Sequence, residues 1–286
     1  MQSVFHNLDL MRGVAEGRNS CPACMDTKLD DQNRNCLCVF FRKFYQQFNA
    51  TVPLHYRDIR LKDLRPSSVS YMPKEKQAAL IQKIKQQPDE SWAFFGPIGW
   101  SKTTYEVALY RHALQKVLKE TWQSSVPQSV WRVSAKQLMD EYHMWVTNRE
   151  RVDDKGNANP APVPTVTREK IVKAAQAGFV PRLFLAEIDK FKMSKFKNDS
   201  MFEVIDAIYE NDGQLVLGSN MTMDELNDPN NFGPHFGRRI MENCNVEDYH
   251  TGESFRPPVA KKRLLKQVAE RFPTPAVKKE SKPCSN

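Results

Sequence analysis

No run of about 18 apolar residues occurs in this chain, so no segment reads as a membrane span. No compact apolar stretch follows a basic start either. No secretory signal is therefore read, and the cytoplasm is the expected compartment. Internal repeats are absent. Outside its last thirty residues the chain also has little excess charge of either sign. The net charge is +8, and residues 259–286, with eight Lys/Arg against two Glu, hold +6 of it. The basic balance is thus mostly a tail property and does not make the whole surface a nucleic-acid binder. What is present suits a globular protein. With 286 residues, 40% apolar and 27% charged, there is enough chain for one substantial domain and a smaller module.

Strand and helix signals alternate through the middle of the chain. Short apolar runs at Trp92–Phe95, Val130–Val133, Arg182–Ile188, Gln214–Gly218 and Asn245–Tyr249 read as strands. Helical spacing is found over Val39–Phe48, Pro73–Gln87 (with Ala79, Ile81 and Ile84), Lys102–Glu120, Ala135–Val146, Thr167–Ala177, Ser200–Tyr209 and Phe236–Glu242. Strands separated by helices imply a parallel sheet covered on both faces. Residues 147–165 are polar and Pro-rich and read as an exposed loop. A basic helix over Ala260–Arg271 leads into an end whose composition predicts disorder.

The strand WAFF runs into GPIGWSKTT and then a helix. This nearly meets G-x-x-x-x-G-K-[ST]: Gly96 opens the pattern, Lys102 and Thr103 close it, and Ser101 stands at the last glycine position. The loop Gly96, Pro97, Ile98, Gly99, Trp100, Ser101, Lys102, Thr103 and Thr104 would bind phosphate oxygens through its backbone N–H groups, which Pro97 alone lacks, and through the helix N-terminus. Lys102 would place a point charge on the β- and γ-phosphates, and the Thr103 hydroxyl would ligate Mg²⁺. Serine at 101 is expected either to tilt the loop or to fit if its φ stays negative. About eighty residues on, PRLFLAEIDKF ends an apolar strand on acids. There Glu187 would polarise an attacking water and Asp189 would support it, while Ala186 holds the position usual for a Mg²⁺-linked aspartate. QLVLGSN ends a further strand at Asn220, placed to orient the same water. Arg238 and Arg239 follow a Pro/Gly loop, and such an arginine can act across a subunit boundary.

Four of the six cysteines are clustered as C-x2-C-x11-C-x-C: Cys21, Cys24, Cys36 and Cys38. Cys244 and Cys284 stand apart. Four thiolates without a nearby histidine suit a closed tetrahedral Zn²⁺ site; an iron–sulfur cluster or reduced thiols are the alternatives.

Taken in order, the cysteine cluster, HYRDIRLKDL, GPIGWSKTT, FLAEIDKF, VLGSN and FGRRI resemble the bacterial helicase-loader ATPases of the DnaC/DnaI type and the related IstB-like transposition helpers. The resemblance covers about residues 21–256. It implies an α/β fold, a P-loop AAA+ three-layer sandwich with a parallel sheet, preceded by a small zinc-binding module. The implied division is a zinc- and partner-binding module over residues 1–50, a connector and helix over 51–88, the AAA+ domain over 89–256 and a basic tail over 257–286. It further implies ATP as ligand, a replicative helicase and single-stranded DNA as partners, and self-assembly into an oligomer. Glu187 would be the catalytic acid, Asn220 the first sensor and Arg239 the arginine finger. Ser101 and Ala186 depart from the pattern at phosphate and Mg²⁺, so binding with slow or absent hydrolysis is expected. A transposition helper and a nucleotide-gated scaffold are the competing functions.

Overall fold

Four apolar residues in a row, Trp92–Phe95, suit a strand buried on both faces. In the computed structural model they form β1, with every side chain buried. The structure describes residues 20–21, 25, 36–121, 128–148, 162–190, 195–250 and 253–255. Cys24, the loop residues Arg149, Arg151 and Lys155, and the basic tail lie outside the described residues.

The other strands are β2 (Val130–Ser134), β3 (Arg182–Ala186), β4 (Gln214–Ser219), β5 (Asn245–Asp248) and β6 (Glu253–Phe255). They form one sheet in the order β2-β3-β4-β1-β5-β6. The first five are parallel, as the alternation of elements implies. The edge strand β6 pairs antiparallel with β5 and was not expected. Strand β3 stops two residues earlier than its apolar run, because Glu187 has φ +56° and turns the chain out of the extended region.

The helices are α1 (Leu37–Thr51), α2 (Lys74–Gln86), α3 (Lys102–Thr121), α4 (Ala135–Thr147), α5 (Arg168–Gln176), α6 (Lys195–Glu210), α7 (Met223–Asn227) and α8 (Pro234–Asn243). Local chemistry starts several of them. Ser134 caps α4 by accepting from the Gln137 N–H at 3.1 Å, and Thr167 caps α5 at the Lys170 N–H, as its position predicts. Helix α7 opens with a full capping box, Thr222 and Glu225 each binding the other's backbone N–H. Two short 3₁₀ turns, Leu54–Tyr56 and Leu61–Asp63, shape the connector before α2.

Period-2 alternation sorts the strand side chains to two cores. Ala93, Phe95, Leu183, Leu185, Leu215 and Leu217 meet α4 to α8 on one face, through Leu138, Ile171, Ile205 and Ile240. Trp92, Phe94, Phe184 and Val216 meet α1, α2 and α3 on the other, through Phe44, Ile81 and Tyr110. One expectation needs correcting here. Ala79 lies on the exposed side of α2, whose buried stripe is Gln77, Leu80, Ile81 and Ile84. Helix α1 ends at Thr51, and its aromatic face is part of the second core. Phe48 stacks between Phe44 at 5.4 Å and Tyr110 of α3 at 5.8 Å. The guanidinium of Arg111 lies 5.2 Å from the Phe48 ring centroid.

If α1 is a structural part of this domain, Phe48→Ala should destabilise it by about 3–5 kcal/mol through the cavity it leaves. Denaturant unfolding followed by tryptophan fluorescence would measure this. An unchanged midpoint would mean that α1 is a separate module.

Candidate functional site

Parallel strands joined through helices deliver their C-terminal ends to one edge of the sheet. Because β4 lies between β1 and β3, the loop after β1 meets the ends of both β4 and β3. A cleft of about 450 Å³ opens there, lined by the phosphate-loop residues from Ile98 to Thr104 and by Glu187, Asp189 and Asn220.

The loop runs Gly96–Ser101. Gly99 has φ +86°, and its backbone is so closely covered that an added Cβ would come within 2.6 Å of the Tyr71 ring. Ser101 has φ +62°, so the expected condition of a negative φ is not met. The serine occupies a left-handed position where glycine is favoured, at a cost of about 1–2 kcal/mol. The turn keeps the shape a glycine would give it, and the strain is held by the structure around it. The N–H of Tyr105 bonds to the Ser101 carbonyl at 3.2 Å. The N–H groups of Lys102, Thr103 and Thr104 therefore precede the hydrogen-bonded ladder of α3 and face the cleft as donors for an anion.

Lys102 is folded back on this loop. Its Nζ donates to the carbonyls of Gly96 at 2.5 Å and Pro97 at 2.8 Å, and to Asn220 Oδ1 at 2.9 Å. Asn220 is held in turn by Asp189, which accepts from the Asn220 N–H at 2.9 Å and from Nδ2 at 2.7 Å. The sequence placed Lys102, Asp189 and Asn220 in three separate segments, and the fold joins them in one chain of hydrogen bonds. Burial pushes the Lys102 ammonium down to about 8, partly offset by the carboxylate of Asp189.

Glu187 lines the same cleft but is not part of that chain. Its carboxylate pairs with Lys190 at 2.6 Å, with both side chains about half exposed. Such a pair contributes little and exchanges readily with water. Ala186 is buried at the end of β3 and offers no oxygen to a cation. Arg239 is not among the cleft residues. It sits on α8, bound to Asp206 at 2.8 Å and Glu242 at 3.1 Å, with its guanidinium 4.4 Å from the Tyr209 ring centroid. Arg238 is more exposed and is bound to Glu242.

Two contributors were not read from the sequence. The connector before α2, taken as a polar link, lines the cleft with Tyr56, Leu64, Arg65, Ser67, Val69 and Ser70. It is pinned by Gln77, whose amide accepts from the Ser67 N–H at 2.8 Å and donates to the carbonyls of Ser67 and Met72 at 3.1 and 2.6 Å. An amide on the apolar stripe of α2 was the available signal, since a buried amide must find partners. The second is Glu106, one turn into α3. It is buried in the wall of the cleft and paired with Arg132 at 2.9 Å. Burial raises its carboxyl above the usual range, and Arg132 opposes that rise.

The thiols of Cys21, Cys36 and Cys38 are buried and lie within 4.8 Å of one another. Cys21 Sγ and Cys36 Sγ are 3.8 Å apart. A tetrahedral ion with metal–sulfur bonds of about 2.3 Å requires an edge of about 3.8 Å, so the spacing suits a shared metal ion. Cys36 occupies the N-cap position of α1, without a side-chain cap hydrogen bond, and Cys38 lies in its first turn.

No protein-family model matches the chain, and no curated protein matches it. Among solved structures, it is similar to a DNA replication initiation factor, at 14% identity and a TM-score of 0.44. It is also similar to AMPPCP-bound DnaA from Aquifex aeolicus, at 11% identity and a TM-score of 0.46. Each match covers 75% of this chain and 55% of the other, so this chain spans about half the length of either neighbour. The functional reading therefore rests on the residues of the site.

A bound polyphosphate would hold Lys102 protonated, whereas the free site loses that proton as pH passes about 8. Binding then takes up a proton above that pH, and affinity should fall by up to about tenfold per pH unit. Titrations with a fluorescent ATP analogue between pH 7 and 9.5 test this. An affinity flat across that range would show that Lys102 does not meet the phosphates.

Proposed function

We propose that this chain is an ATP-binding protein of AAA+ type that acts in DNA replication as a helicase loader, binding single-stranded DNA and a replicative helicase. The observation that carries the nucleotide reading is the meeting of Lys102, Asn220 and Asp189 at the N-terminus of α3. A γ-phosphate entering there would replace the loop carbonyls as the partner of Lys102. Asn220 and Asp189, already fixed on each other, would stand beside it. ATP thus fits the donors present, and bound Mg²⁺ would supply charge neutralisation on the phosphates. Thr103 is the side chain that would ligate the ion. Glu187 is the candidate acid for orienting water once it leaves Lys190. The resemblance in the sequence carries the loader role, self-assembly and the action of Arg239 on a neighbouring subunit's nucleotide. To reach across, Arg239 must exchange Asp206 and Glu242 for phosphate.

A nucleotide-gated scaffold is favoured as the second reading by three features: Ala186 in place of a metal-linked carboxylate, the left-handed Ser101, and a Glu187 engaged by Lys190. All three affect turnover more than binding. A lost metal-positioning contact costs about 3 kcal/mol in the transition state, or about a hundredfold in rate. The expected outcome is clear nucleotide binding with slow turnover. Lys102→Ala should abolish binding, and Glu187→Gln should abolish the remaining hydrolysis while leaving binding in place. Paired measurements of nucleotide affinity and steady-state phosphate release, with and without single-stranded DNA, decide the matter. Rapid turnover would show the substitutions to be compensated, and no binding would sink the reading. Capture of a replicative helicase rather than a transposase would separate the loader from a transposition helper.

The cysteine trio, with Cys24 as the fourth ligand, is proposed to hold one Zn²⁺. Elemental analysis of protein purified without chelators should give about one zinc per chain, and Cys38→Ser should lower it. Iron in its place would indicate a cluster.

A further inference from the structure

Away from the nucleotide cleft, a second cavity of about 620 Å³ lies between the connector, α2 and α3. Its walls carry Arg60 and Lys62 from the connector, Lys85 from the end of α2, and Arg111, His112 and Gln115 from α3. None of the lining residues is a carboxylate. Asp63 and Asp89 reach members of the set from outside it, at 3.9 Å to Arg60 and 4.0 Å to His112. Four permanent cations therefore converge on one concavity in a chain whose basic excess was read as a property of its tail.

Two of the cations are fixed in place. Arg111 is 5% exposed; its guanidinium donates to the Arg57 carbonyl and is packed over the rings of Phe44 and Phe48. Lys85 donates to the carbonyls of Lys62 at 3.0 Å and Leu64 at 2.9 Å. An ammonium has three N–H donors, so one is left for a ligand. Lys62 is exposed at the rim. Concentrating positive charge in this way is unfavourable unless an anion completes it.

We propose that this pocket binds the phosphodiester backbone of single-stranded nucleic acid. The cavity is much larger than one phosphate and is open, and its cations come from three segments, as needed to follow successive phosphates. Gln115 and Leu61 add uncharged contacts that tolerate any base. The site also shares its connector with the nucleotide cleft. Leu64 and Arg65 line the cleft, and Lys85 holds the Leu64 carbonyl from the pocket side. The choice of single-stranded DNA rests on the loader reading, whereas the anion site rests on the cations alone.

The test uses the full-length protein without nucleotide and a fluorescein-labelled oligothymidylate, with anisotropy read over a salt series. The pocket variant is Arg60→Gln with Lys62→Gln. Its matched-charge control is Lys74→Gln with Lys76→Gln, at the other end of α2. Losing two phosphate contacts should lower the salt slope by about 1.4 and weaken binding about 25-fold at about 0.1 M salt. The control should retain wild-type behaviour, and Lys62→Arg should bind as wild type. Equal losses in both double variants, no loss in the pocket variant, or complete loss on removing residues 259–286 would overturn the proposal. ATP affinity measured on the same proteins keeps the two readings apart. A failed nucleotide site leaves the DNA titration intact, and a failed DNA pocket leaves ATP binding intact.

Discussion

A parallel sheet cannot be closed by hairpins. Each strand must be reached by a crossover, and the crossovers must cover both faces of the sheet. Most of this molecule follows from that constraint. It places the loops after β1, β3 and β4 on one edge, and it packs α3 against the sheet with its N-terminus pointing at that edge. The order β3-β4-β1 then brings Asp189 and Asn220 to Lys102, although 118 residues separate Lys102 from Asn220.

The second core gives the site its wall. Helix α1 contributes an aromatic face to α3, and α2 carries the connector past the mouth of the cleft. Gln77 pins this arrangement, since its amide meets three backbone groups of the connector as a neighbouring strand would. The connector lines the cleft with Leu64 and Arg65 and the basic pocket with Arg60, Leu61 and Lys62, so the two cavities use different residues of one segment.

Strain and substitution meet at the phosphate loop. A left-handed serine is less favourable than glycine, yet the loop keeps the turn, so the backbone geometry matters here more than the residue. Glu187 also has positive φ, immediately after the buried Ala186. The proposed phosphate loop thus keeps a tight backbone turn, while the position before Glu187 offers no carboxylate to a metal ion. These features make different demands on the protein. Binding phosphate needs backbone donors and one cation, whereas transferring it needs a positioned metal and water.

The sequence by itself determined the elements of the sheet. Apolar runs bounded by polar turns gave β1 to β5 to within two residues, and Thr167 marked its helix by capping chemistry. Lys102, Asp189, Asn220 and the cysteines could also be singled out, because each stands at a position where only a few residue types serve the chemistry. The rest depended on long-range approach. No local pattern shows that Tyr71 covers Gly99, or that α1 belongs to the second core. None shows that Glu187 pairs with Lys190 while Asp189 holds Asn220. The sign of φ at Ser101 is likewise set by the packing around the loop, because the left-handed well costs only about 1–2 kcal/mol, which tertiary contacts readily supply. The basic pocket exists only once the connector, α2 and α3 are packed together. Its cations are scattered over residues 60–111 and are brought together by folding, not by their spacing in the chain.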